Sequence, residues 1–202
     1  MHLYVEGIDL SGKSSAAANF ASRSEETWTI QHGQLGSDSH LYDFATAAFG
    51  DRQLDVVGDL LSAAIRDDLA TYTPPEKPTI QDSLFTVRSL AFFTAFQNNR
   101  LIRVFEDLLQ DHPKFDHSFV FTASVAARRA RLQQRMNEQP QELSIIDKLL
   151  IDSPEFASAI NNNIVGVAQE VFGATIVDTT DLSIPDVSTI IAQTIDTQDT
   201  RV

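Results

Sequence analysis

Eight residues near the start of the chain, Gly7-Ile8-Asp9-Leu10-Ser11-Gly12-Lys13-Ser14, fit the pattern G-x-x-x-x-G-K-[ST] and follow an apolar run through Leu3, Tyr4 and Val5. Such a loop functions only between a buried strand and the start of a helix, so it constrains the fold at this point to strand, turn and helix. The flanks agree. Leu3 to Val5 read as a short strand, and Ser14-Ser15-Ala16-Ala17-Ala18-Asn19-Phe20-Ala21 is rich in alanine with no breaker before Arg23. The two glycines let the backbone turn its N–H groups inward, Lys13 meets the β- and γ-phosphates of a nucleoside triphosphate, and the Ser14 hydroxyl can ligate Mg²⁺. Gly7, Ser11, Gly12 and Ser15 complete the expected cradle.

Four further short apolar runs, Thr27 to Gln31, Thr79 to Gln81, Ser118 to Thr122 and Ala174 to Val177, read as buried parallel strands. Helical patterns separate them. Leu54, Val57, Leu61, Ala64, Ile65 and Leu69 recur at helical spacing and stop before Pro74 and Pro75; Leu84 to Gln97 and Arg100 to Gln110 form a second pair. Ser124 begins a helix carrying Val125, Leu132 and Met136, Asp152-Ser153-Pro154-Glu155 is a helix start, and Ser183-Ile184-Pro185-Asp186 has the spacing of a capping box. Strands alternating with helices predict an α/β fold with a five-stranded parallel sheet wound by helices, ligands lying at the carboxyl ends of the strands. At 202 residues the chain fits a single domain, with a lid segment at about 128–150 and its most mobile part at Asn137 to Ser144, around Pro140.

Composition narrows the function. With 28 Asp and Glu against 15 Lys and Arg the net charge is −13, which repels polyanions and argues against a nucleic-acid or membrane-surface partner. The absence of cysteine excludes thiolate zinc sites and cysteine nucleophiles. The five histidines, His2, His32, His40, His112 and His117, lack metal-ligand spacing and are expected to be surface or core residues. No basic stretch leads into a long apolar run, and no such run nears ~20 residues, so a cytoplasmic location is expected.

Phosphoryl transfer requires cations near the moving phosphate, an acid for Mg²⁺ or the acceptor hydroxyl, and exclusion of water. Arg128, Arg129, Arg131 and Arg135 place four of the fifteen basic residues within eight positions. On a helix Arg128, Arg131 and Arg135 share a face while Arg129 points elsewhere, so the three are candidate catalytic cations rather than members of a solvated, acid-paired face. Asp82 follows a strand directly and is a candidate for holding Mg²⁺ through water or accepting a hydroxyl proton; a helix cap would look the same. Phe85, Phe92 and Phe96, at helical spacing, are expected to be core.

These motifs resemble the thymidylate kinases of the nucleoside monophosphate kinase group. The segment from Val5 to Ser14 is similar to that family's E-G-x-D-x-x-G-K-S/T start, and Leu60 to Arg66 resembles its next helix. Asp82 falls where the family has an Asp-Arg pair, and Ser89-Leu90-Ala91-Phe92, Thr122-Ala123-Ser124 and Val177-Asp178-Thr179-Thr180 resemble later segments. The resemblance implies that Lys13 and Ser14 bind the phosphates and Mg²⁺ of ATP, that Asp9 meets a sugar hydroxyl of the acceptor, and that Arg66 holds the acceptor phosphate. It implies that Asp82 organises metal or acceptor, that a lid arginine is catalytic because the loop itself has none, and that the protein is a homodimer. The family's Arg-Glu-Pro signature is replaced by Gln31-His32-Gly33-Gln34, Ser83 follows Asp82 where arginine is expected, and Ser62 replaces a stacking phenylalanine. Phe93 stands near the place of the glutamine that reads thymine, and an apolar ring cannot hydrogen-bond a base edge. Arg88 is a candidate for replacing a lost phosphate contact, or else a helix-surface arginine. The expected function is ATP-dependent transfer of the γ-phosphoryl group to a nucleoside monophosphate or nucleoside-like acceptor. A kinase of a non-nucleotide small molecule and a degenerate nucleotide-binding regulatory protein are the alternatives.

Overall fold

The computed structural model describes residues 1–36, 40–50, 53–138 and 152–199. Five strands, β1 (His2–Gly7), β2 (Thr29–Gly33), β3 (Thr79–Leu84), β4 (His117–Thr122) and β5 (Thr175–Asp178), form one sheet in the order β2-β3-β1-β4-β5, every neighbouring pair parallel. Helices α1 (Lys13–Arg23), α2 (Leu41–Gly50), α3 (Leu54–Thr71), α4 (Phe85–Ala95), α5 (Asn99–Gln110), α6 (Val125–Glu138), α7 (Pro154–Phe172) and α8 (Ile184–Asp199) wind around it. The predicted α/β architecture is the observed one.

Alternation along β1 builds the two halves of the core. Leu3 and Val5 point to one face and join Ala16 and Ala17 of α1, Phe119, Phe121 and Ile191 of α8. Tyr4 points to the other face, among Ile65, Val87, Phe105 and Ile164 from α3, α4, α5 and α7. Because helices cover both faces, β1 is buried at all six positions, which is why the opening run reads as continuously apolar. With β1 in the middle of the sheet, its carboxyl end and the loop that follows open where β3 and β4 flank it.

The structure revises several boundaries. Strand β2 lies two residues later than predicted, at Thr29–Gly33, and α2 is a helix that the apolar pattern did not reveal. Strand β3 continues to Leu84, so Asp82 is no helix cap: it pairs with Val5 and His32 in the ladder, and the Leu84 N–H is taken by the Glu6 carboxylate. The starts at Ser124 and Ser183 hold. Ser124 Oγ accepts from Ala127 N, and Ser183 and Asp186 bond each other's backbone N–H reciprocally. Of the expected core phenylalanines, Phe85 and Phe92 are half-buried and Phe96 is exposed, packed on Phe92 and Phe156. The lid segment is described as far as residue 138; its remainder, with most of the Asn137 to Ser144 stretch, lies outside the described residues.

Candidate active site

The loop after β1 has the backbone its sequence demands. Gly7 has φ 151° and Gly12 φ 90°, and a Cβ on Gly7 would stand 2.5 Å from the Phe121 carbonyl oxygen, so no larger residue fits. Leu10 is held at φ 66°, a conformation that leucine rarely adopts. Helix α1 starts at Lys13, which puts its free N–H groups and positive dipole end at the loop. Ser14 and Ser15 are exposed in the first turn, while Ser11 is fully buried.

A chain of buried charge runs beside the loop. Glu6 is completely buried and accepts from Tyr4 Oη at 3.0 Å, Gly7 N at 2.9 Å, Leu84 N at 3.0 Å and Arg88 Nε at 3.3 Å. Arg88, from α4, also donates to Asp9 Oδ1 at 3.1 Å and to the Gly7 carbonyl at 2.8 Å. Lys13 Nζ lies 3.8 Å from the same Asp9 oxygen. Burial would raise the Asp9 carboxyl, but the charges of Arg88 and Lys13 outweigh it and hold the group below its ordinary value. Burial and then the nearby Arg88 push the Lys13 ammonium down, against the pull of Asp9 and Asp82. Arg88, which burial alone would lower, is raised by Glu6 and Asp9.

Helix α6 carries the four clustered arginines. Arg131 donates through Nη1 to the Leu10 carbonyl at 3.0 Å and to Thr179 Oγ1 at 3.1 Å, and through Nη2 to the Thr179 carbonyl. The Thr179 hydroxyl itself lies 2.6 Å from the Ser11 carbonyl oxygen. Arg128 is buried, and among the described residues its Nε finds no hydrogen-bond acceptor. Burial lowers its pKa, with the charge of Asp9 opposing. Arg135 is exposed and near enough to help hold Asp9 ionised, whereas Arg129 is exposed elsewhere on the helix.

The remaining candidates divide. Asp82, only 2% exposed, stands within the electrostatic reach of Lys13 and Arg88, its Oδ1 accepting from Ser83 Oγ at 3.1 Å and its Oδ2 lying 3.2 Å from His32 Nδ1. Arg66 is exposed on α3, and among the described residues no contact joins it to the loop. Phe93 does not face the site: it is buried and stacked on Phe105 at 5.5 Å, and the residue one helical turn beyond Arg88 is Phe92. Sequence reasoning did not foresee the hub role of Glu6, the Thr179 clasp or the pairing of His32 with Asp82. The last required the order of the strands, since β2 and β3 are neighbours only in the folded sheet.

The Ser14 hydroxyl is a hard oxygen donor at the mouth of the loop, suited to a Mg²⁺ that takes its other ligands from phosphate and water. No cluster of three metal-ligating side chains occurs among the described residues.

A parallel sheet with this loop at the end of its central strand defines the fold of the P-loop kinases. Among solved structures, the chain is similar to a deoxyadenosine kinase from M. mycoides, at 14% identity and a TM-score of 0.64, over 98% of this chain and 99% of that one. It is similar to thymidylate kinases from Candida albicans, at 13% identity and a TM-score of 0.63 over 98% and 92% of the two chains, and from Ehrlichia chaffeensis, at 12% and 0.57 over 97% and 98%. No family model matches the chain, and no curated protein matches it by sequence. The fold is therefore the one shared by nucleoside and nucleotide kinases. No helix among the described residues is long and apolar enough to cross a membrane.

Proposed function

We propose that the protein is an ATP-dependent phosphotransferase that moves the γ-phosphoryl group to a nucleoside monophosphate or nucleoside-like acceptor. The observation that carries this reading is the buried Arg128 guanidinium, with no acceptor for its Nε, facing the charge of Asp9 beside a phosphate loop. A buried guanidinium N–H without an acceptor is costly, and a phosphate anion seated on the loop would relieve that cost. Lys13 and the amides at the start of α1 would grip the donor phosphates, Ser14 would hold Mg²⁺, and Arg128 and Arg135 would meet charge developing on the transferred group. Arg131, tied to Leu10 and Thr179, would serve by fixing the loop. Arg66, exposed on α3, is the candidate cation for an acceptor phosphate, while Arg88 is bonded to Glu6, Asp9 and the Gly7 carbonyl. Mg²⁺, when bound, supplies charge neutralisation across the phosphates.

Calorimetric titration with ATP and Mg²⁺, beside an assay of ADP release over a panel of nucleosides and nucleoside monophosphates, tests the reading. Binding should be lost in Lys13→Ala, and some acceptor should stimulate ADP release. Near-normal ATP binding in Lys13→Ala, or ADP release at background for every acceptor while ATP binds, would refute it.

A further inference from the structure

His32 and Asp82 come together at the carboxyl ends of two neighbouring strands. They are register partners in β2 and β3, His32 Nδ1 lies 3.2 Å from Asp82 Oδ2, and among the described residues no hydrogen bond reaches that buried oxygen. The Asp82 side chain is 2% exposed and the His32 side chain 69%, so a buried carboxylate backs a largely exposed imidazole. The local backbone is shaped to aim both. The β2–β3 register shifts after His32, where Gly33 has φ 72°, and Ser83 is held at φ 71° immediately after Asp82. The residue skipped by the register is Ser83 itself, so the irregularity and the positive φ coincide in β3, and both are devices that redirect side chains at functional sites. Ser83 is pinned there by Gln81 Nε2, which donates to its carbonyl at 2.9 Å, and by its own hydroxyl on Asp82 Oδ1.

The pair sits beside the strand that leads into the loop. Asp82 is the register partner of Val5, two residues before Gly7, and it is felt by both Lys13 and Arg88. His32 is one strand further out, about 5 Å beyond β3 and 10 Å from β1 at ordinary strand spacing. An acceptor group would thus lie between His32 and a γ-phosphate held at Lys13.

We propose that His32 is the general base of the reaction, positioned by Asp82, and that the acceptor is a hydroxyl compound of nucleoside type rather than a monophosphate. The inference rests on the phosphotransferase reading above. A monophosphate already presents an ionised nucleophile and asks its site for cations, whereas an alcohol must lose a proton as it attacks. Here the side offered to the acceptor carries a carboxylate and an imidazole. Arg88 is already committed to Glu6, Asp9 and the Gly7 carbonyl. With both Asp82 oxygens faced by Ser83 and His32, Asp82 acts through the imidazole, and Mg²⁺ is left to Ser14. In the step, the acceptor hydroxyl gives its proton to His32 Nε2 as its oxygen bonds to the γ-phosphorus. The bond from that phosphorus to the β,γ-bridging oxygen breaks, ADP departs with the electron pair, and His32 later returns the proton to solvent.

The test compares wild type, His32→Gln, His32→Gly and Asp82→Asn with the deoxyribonucleosides and their 5′-monophosphates, the product being identified by phosphorus NMR as a monoester or a diphosphate. Wild type should make the monoester. His32→Gln should lose about 100-fold in kcat, the low end for a general base, with KM for the nucleoside and the affinity for ATP nearly unchanged. Added imidazole should restore part of the His32→Gly rate and none of the Asp82→Asn rate. His32 is exposed, so its variants should fold; retained ATP binding checks this for Asp82→Asn. A kcat within twofold of wild type in His32→Gln overturns the inference. Phosphorylation of monophosphates alone, to diphosphates, overturns it while leaving the phosphotransferase reading intact, and no transfer to either class with ATP bound overturns both.

Discussion

Replacing Arg88 by methionine would remove the cation that neutralises a carboxylate with no access to water. Glu6 is completely buried, and Arg88 is its charged partner at 3.3 Å, the three remaining donors being the Tyr4 hydroxyl and two backbone amides. Breaking a buried pair from one side costs about 3–5 kcal/mol. The three remaining hydrogen bonds to Glu6, and the partial exposure of the Arg88 side chain, place the expected loss near the bottom of that range, at about 3 kcal/mol. For a domain of this length that corresponds to a fall of roughly 6–12 °C in Tm. Glu6→Gln keeps the shape and removes the charge, so Arg88→Met made in that background should cost less, by about 1–2 kcal/mol of coupling. Urea denaturation of the two single variants and the double variant measures that coupling. Additive losses, or a loss below about 1 kcal/mol in Arg88→Met, would show that the Glu6–Arg88 pair does not hold the loop together.

Gly58→Ala on α3 should destabilise by about 2 kcal/mol in the same denaturation assay: the added Cβ would stand 2.3 Å from Cδ1 of the fully buried Leu101, and overpacking at that contact exceeds the ~1 kcal/mol helix-propensity gain. Arg131→Ala should weaken ATP binding about tenfold in calorimetry, because the Leu10 and Thr179 carbonyls lose the charged donor that sets the loop. Burial holds His112, paired with Thr86 at 2.6 Å, down to a pKa of about 4, against about 6.5 when unfolded. Between these values the unfolded chain binds more protons, so stability should fall by about 3 kcal/mol as pH drops from 6.5 to 4, and His112→Gln should flatten that part of the profile.

The fold was legible because its strongest signals are local. A phosphate loop fixes strand, turn and helix within a few residues, and strands covered on both faces announce themselves as unbroken apolar runs, as β1 and β4 do. The spacing of Arg128, Arg131 and Arg135 likewise turned directly into one helix face, with Arg129 on another. Contacts that depend on strand order were not legible. Asp82 looks like a helix cap until β3 is seen to run on to Leu84, and His32, exposed as expected, is seen to meet Asp82 only when β2 is laid beside β3. Phe93 was placed near the base by its distance along the chain, but helix phase turns it into the core against Phe105 and leaves Phe92 in line with Arg88.

The loop is held from two sides by arginines belonging to different elements, and this determines what each can do. Arg88 fastens its start through Gly7 and Asp9, while Arg131 fastens its middle through Leu10 and, by way of Thr179, Ser11. These guanidinium groups hold carbonyls and carboxylates in the resting protein, and under the proposed function they would fix the donor amides before a triphosphate binds. Donors fixed in advance spend no reorganisation energy when charge develops on the transferred group. Arg128 differs from both: it is buried and its Nε has no hydrogen-bond partner among the described residues, so under the proposed function a phosphate would complete an electrostatic arrangement left unfinished there.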